Sequence, residues 1–94
     1  MPSVNPPTSP QARIWIDADD AAVTHIDVRG LQRPQPLIRI LELLRQAGDG
    51  AVVIAHLDRE PIALYPELAE IDWWAEPLDG DPGEVRLRLR RGDA

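Results

Sequence analysis

Cysteine is absent from all 94 residues. That single absence excludes disulfides, thiolate metal ligands, persulfides and cysteine nucleophiles together. Secreted domains of this size often need disulfide staples, so a cytoplasmic, reducing compartment is the expected address. Phenylalanine is missing too, and aromatic character is confined to Trp15, Tyr65, Trp73 and Trp74. Leu, Ile and Val must therefore fill the core. No apolar run approaches the roughly 20 residues that cross a bilayer. The opening Met1-Pro2-Ser3-Val4 stretch has neither the basic nor the apolar region of a signal peptide, so no membrane partner is expected. Lysine is absent as well: all ten basic residues are arginines, against sixteen acidic ones, for a net charge of −6. An acidic domain is a poor general binder of phosphate backbones, which makes nucleic acid an unlikely partner.

What is present describes one small domain. A chain of this length buries only roughly 60–65% of its unfolded surface, so each large apolar residue matters. Residues 1–12 carry Pro2, Pro6, Pro7 and Pro10 among small polar residues and are expected to be a flexible tail, leaving 13–94 as a single domain. Arg13-Ile14-Trp15-Ile16 favours β structure. With the acidic turn Asp17-Ala18-Asp19-Asp20 it could pair with the next segment as a hairpin, and whether it adds a strand stays open here. Thr24 to Val28 alternates polar and apolar as a half-buried strand does. Leu37, Ile40, Leu41, Leu44 and Ala47 then follow at helical spacing, with Pro34 and Pro36 where a first turn tolerates them and Gly48 as the expected left-handed terminator.

Ala51 to Leu57 is apolar on both alternations, which predicts a central strand. Pro61 to Ile71 predicts a shorter second helix starting near Tyr65 or Pro66, because proline cannot sit deep inside it. Trp73 to Glu76 and the run containing Val85, Leu87 and Leu89 complete the pattern, separated by the turn Asp79-Gly80-Asp81-Pro82-Gly83. The predicted class is α+β. It is a two-layer α/β sandwich of order β-α-β-α-β-β, with two helices on one face of a four-stranded mixed sheet.

This order and one motif resemble the TusA-like (SirA-like) sulfur carriers. Their Asp-x-Arg-Gly-x-x-Cys-Pro-x-Pro signature corresponds to Asp27-Val28-Arg29-Gly30-Leu31-Gln32-Arg33-Pro34-Gln35-Pro36, in which the cysteine position is Arg33. Asp58 and Pro66 resemble the acidic loop residue and helix-starting proline of that family. Arg59-Glu60-Pro61, Leu64-Tyr65-Pro66 and Trp73-Trp74 look more specifically like its cysteine-less relatives, the domain-of-unknown-function family 2249. The resemblance spans residues 24–91. It implies the TusA-like fold, and for those relatives a setting near haemerythrin-like, iron–sulfur repair or nitrogen-oxide functions. Sulfur carriage itself does not transfer, since an arginine cannot form a persulfide or act as a nucleophile at physiological pH.

The candidate binding surface lies at the start of the first helix and the loop after the central strand: Arg29, Arg33, Pro34, Pro36, Asp58, Arg59 and Tyr65. Three arginines beside a helix N-terminus suit an anion or an acidic side chain. The competing reading has Arg29 paired with Asp27 or Asp58 as a brace and Arg33 merely solvated, and the two prolines remove two N–H donors. His25 and His56 lack any recognised ligand spacing and are expected as a surface and a strand-end histidine, with no metal or other cofactor; the competing reading makes them metal ligands together with Asp27 or Asp58. Asp17, Asp19 and Asp20 are expected as a solvated turn.

Arg86, Arg88, Arg90 and Arg91 are expected as a basic ridge on the open sheet face; the fold also resembles the C-terminal domain of the third translation initiation factor, which implies RNA binding as a further reading. The ridge lacks the interleaved aromatics of a single-strand platform, and the competing expectation is arginines paired with Asp27 and other acidic side chains. No catalytic constellation is visible. A non-enzymatic interaction or regulatory module with a protein partner is the expected function, and a small-ligand or anion-binding domain the alternative.

Overall fold

The computed structural model describes residues 12–92. The expected flexible tail lies, apart from Ala12, outside the described residues. Five strands and two helices run in the order β1 (Arg13–Ile16), β2 (Val23–Asp27), α1 (Gln35–Gln46), β3 (Val52–Leu57), α2 (Leu64–Glu70), β4 (Trp73–Leu78) and β5 (Val85–Arg91). The sheet has five strands rather than four, ordered β1-β2-β3-β5-β4. The extra strand is the Arg13–Ile16 run, which pairs antiparallel with β2 through Trp15↔His25 and Arg13↔Asp27. Only β2 and β3 are parallel, joined by the α1 crossover. The both-sided apolar segment is central, as its pattern predicts: β3 lies between β2 and β5.

Alternation sorts the strand residues onto two faces. Ile26, Val53, Ala55, Leu57, Leu87, Leu89 and Trp73 point to one face and are almost completely buried. Ile40, Leu41 and Leu44 of α1 and Leu64 and Leu68 of α2 close that layer into a single core. Leu44 is 0% exposed, so truncating it to alanine removes about 2–5 kcal/mol. Both helices therefore share one face of the sheet.

The helix ends differ in detail from expectation. α1 starts after Pro34 with proline in its first turn, where the missing N–H has no intrahelical partner to lose. It does not end on a left-handed Gly48. Ala47 turns extended and its N–H bonds the Leu44 carbonyl, while the left-handed residue is Gly50, two positions on, at φ 80°. α2 begins at Leu64, placing Pro66 in its first turn.

Candidate functional site

The crossover geometry brings the chain segments after β2 and β3 to the same end of the sheet. The Asp58 carboxylate accepts the Gly30 N–H at 3.0 Å, tying the two loops together. Gly30 holds φ 86°, a left-handed conformation that favours glycine. Of the seven expected binding residues, Arg29 is committed elsewhere. Its Nε and terminal nitrogen donate to the two oxygens of Asp27 at 3.0 and 2.8 Å, and its backbone N–H adds a third bond. This is the brace rather than the binding contact. Asp27 is buried and also receives Arg13 at 3.1 Å. Hydrogen bonds from Arg29 hold its carboxyl well below the usual carboxylate range, against the opposing effect of burial. The same partnership pushes the Arg29 guanidinium upward.

Arg33, Pro34 and Arg59 are exposed, and Pro36 is half-buried. Arg33 has no ion pair among the described residues. Arg59 approaches Asp58 only at 3.9 Å, and 68% of its side chain is exposed. Tyr65 donates its hydroxyl to Glu60; burial, then that carboxylate, pushes its phenol up to about 12. The tyrosine lines a separate shallow groove with Glu60, Leu78 and Val85.

The four-arginine ridge is not formed. Arg86, Arg88 and Arg90 alternate onto the open face, whereas Arg91 lies on the helix side over the Trp73 ring and bonds Asp49 at 2.9 Å. Arg86 is bound by Glu84 and Arg88 by Glu76, acidic partners as the competing expectation had it, but not Asp27, which Arg13 and Arg29 occupy. Trp73 is core, so the exposed tryptophan at the β4 edge is Trp74.

The largest departure concerns the histidines. They are neither a surface residue nor a lone strand end: His25 is half-buried, His56 is buried, and the two meet. His25 Nδ1 lies 2.9 Å from His56 Nε2. The outer nitrogens contact carboxylates, His25 Nε2 with Asp17 at 2.6 Å and His56 Nδ1 with Glu84 at 2.6 Å. Trp15 stacks over both rings, at 5.0 Å from His25 and 5.5 Å from His56. Arg86 above all pulls the Glu84 carboxyl down to about 2, against burial, with the Asp81 N–H and His56 adding to it. The His25 hydrogen bond, followed by the Asp19 N–H, lowers Asp17. Asp17 and Asp20 otherwise cap their own turn, accepting the Asp19 and Ala22 N–H groups at 3.0 Å.

The signal for this cluster lay in strand parity. His25 and Asp27 alternate with the buried Ile26, and His56 sits on the same face of the neighbouring strand. Among the described residues, no three His, Asp or Glu side chains converge to hold a metal. No helix there is long and apolar enough to cross a membrane.

The same stretch that carries the Asp27–Arg29 brace, the Gly30 turn and the histidine pair matches a family described as uncharacterized conserved protein (DUF2249), over residues 25–91. The chain is a DUF2249 protein. The match runs from the middle of β2 through β5 and leaves out β1 with Trp15, the turn after it, and Val23 and Thr24 of β2. In this DUF2249 chain the partners of His25 therefore lie on both sides of the match boundary: Asp17 and Trp15 before it, His56 within it. No curated protein matches the chain.

Proposed function

We propose that this chain is a non-enzymatic interaction or regulatory module of TusA-like architecture, acting in the cytoplasm, in which the sulfur-carrying position has become part of a protein-binding surface. One observation carries the reading. The Gly30–Asp58 hydrogen bond fixes two loops side by side while Arg33 and Arg59 extend from them into solvent. Ligands of open α/β sheets bind outside the carboxyl ends of parallel strands, and these loops occupy that place. Ile62, three residues after Arg59, is exposed and offers an apolar contact from the second loop. Two uncommitted guanidiniums beside an apolar side chain suit an acidic segment of another protein.

A small-anion ligand would draw on the same arginines. It is the weaker reading, because Pro34 and Pro36 lack N–H groups and the Asp58 carboxylate stands beside Arg59. RNA is weaker still, since Arg86 and Arg88 are neutralised in place.

Site-specific photo-crosslinking in the native host tests the assignment. A crosslinker at position 33 should trap a discrete protein adduct, and one at exposed position 45, on the last turn of α1, should not. Equal labelling from both positions, or adducts only from position 45, would remove the proposed surface.

A further inference from the structure

The hydrogen bonds around His25 and His56 can be counted in protons. Four groups lie in a line, Asp17–His25–His56–Glu84, joined by three contacts of 2.6, 2.9 and 2.6 Å. Each contact needs one hydrogen. The two carboxylates supply none, because both are held ionised by their surroundings. Two neutral imidazoles carry only two ring protons between them. With the outer nitrogens donating to Asp17 and Glu84, the inner nitrogens would face each other as bare lone pairs at 2.9 Å. Two ring protons satisfy only two of the three contacts; a third, placed between the inner nitrogens, satisfies all of them.

We propose that His25 and His56 form a cation site whose occupant is one shared proton, and that this proton latches edge strand β1 to the sheet. The separation decides the occupant. An N–H···N bond fits 2.9 Å, whereas two nitrogens about 2.0–2.1 Å from a bridging zinc ion in tetrahedral geometry stand further apart. The rest of the surroundings suits a singly charged pair. Asp17 and Glu84 flank it, and the face of Trp15 covers both rings within the range of a cation–π contact.

Charged groups reach this face from every neighbouring element. Arg13 comes from β1, Asp17 from the β1–β2 turn, and Asp27 from β2 with Arg29 just after it. Glu84 precedes β5, which contributes Arg86 and, across Ile54, Arg88. Arg13 and Arg29 are occupied by Asp27, Arg86 by Glu84 and Arg88 by Glu76. The only proton acceptors left in the line are the inner nitrogens.

Occupancy then controls β1. The strand is an edge, paired only with β2, and beyond that ladder and the Arg13–Asp27 ion pair it is held through Trp15 and Asp17. A fourth ring proton would set two N–H donors against each other. Loss of the third would leave two lone pairs opposed. Either change breaks the line and loosens β1, uncovering the backbone edge of β2. This device uses none of the residues of the proposed arginine surface and stands or falls apart from it.

Long-range proton–nitrogen NMR on the full-length, ¹⁵N-labelled protein near neutral pH reads the count directly. Three nitrogen-bound protons are expected on the two rings, the middle one correlated with both His25 Nδ1 and His56 Nε2. Amide exchange in β1, compared with β5, should then rise about tenfold in a His25→Ala variant. Two ring protons in the wild type would overturn the proposal. So would a transition metal retained stoichiometrically by the purified protein, or β1 exchange unchanged in the variant. The proton count needs no variant, so it decides even if His25→Ala fails to fold.

Discussion

Arginine is used in two ways on the two polar regions of this molecule. On the open sheet face four guanidiniums are partnered inside the fold, Arg13 and Arg29 by Asp27, Arg86 by Glu84 and Arg88 by Glu76, while exposed Arg90 has no ion pair among the described residues. At the start of α1 and in the loop after β3, Arg33 and Arg59 reach solvent, and Asp58, 3.9 Å from Arg59, accepts its hydrogen bond from the Gly30 backbone. The first set fixes geometry that burial on the helix-covered face cannot specify. The second set costs the fold little and contributes little to it. Arg33 and Arg59, unlike the solitary Arg90, stand on two loops tied together by the Gly30–Asp58 bond.

Removing a carboxylate from the partnered face should have the largest effect on stability. Asp27→Ala loses charge-assisted bonds from two arginines and the Arg29 N–H, and should destabilise by about 2–3 kcal/mol in urea denaturation. Glu84→Gln should cost about 1–2 kcal/mol and carry a pH signature. The folded carboxyl lies below its unfolded value, so its contribution is complete above pH 4.5 and is lost as pH falls toward about 2. The gap between wild type and variant should therefore close across that window. A constant gap would mean that Glu84 acts by shape alone.

Gly30→Ala should cost about 1 kcal/mol through its left-handed backbone, because an added Cβ meets nothing within 4 Å. The smallest change is expected from Arg33→Ala combined with Arg59→Ala, within about 0.5 kcal/mol of wild type. A loss above 1 kcal/mol there would erase the distinction between the two sets.

The fold was largely legible because periodicity is a local signal. The α1 pattern from Leu37 to Ala47 and the both-sided apolar β3 are each confined to a dozen residues or fewer, and both elements formed where that pattern put them. Strand β1 was readable as a β-favouring run, but its membership in the sheet depended on a partner ten residues away. The Gly48 terminator failed because a glycine near a helix end is permitted a left-handed turn without being obliged to take it. The histidine line was hidden for a different reason. His25 and His56 are 31 positions apart and meet only through parallel pairing, so no spacing motif records them. Arg29 shows the reverse case: its tie to Asp27, two residues away, was one of the two partners the sequence offered, and the structure chose it.

The central claim is that Arg33 and Arg59 serve binding while the partnered arginines serve the fold. Affinity capture from the native host's lysate tests it most directly, using wild type, Arg33→Ala/Arg59→Ala, and Arg88→Ala as the control, each verified as folded. The account predicts a protein retained by wild type and by Arg88→Ala and lost by the double variant. Retention by the double variant with loss by Arg88→Ala would contradict it, and would move the functional surface to the open face of the sheet.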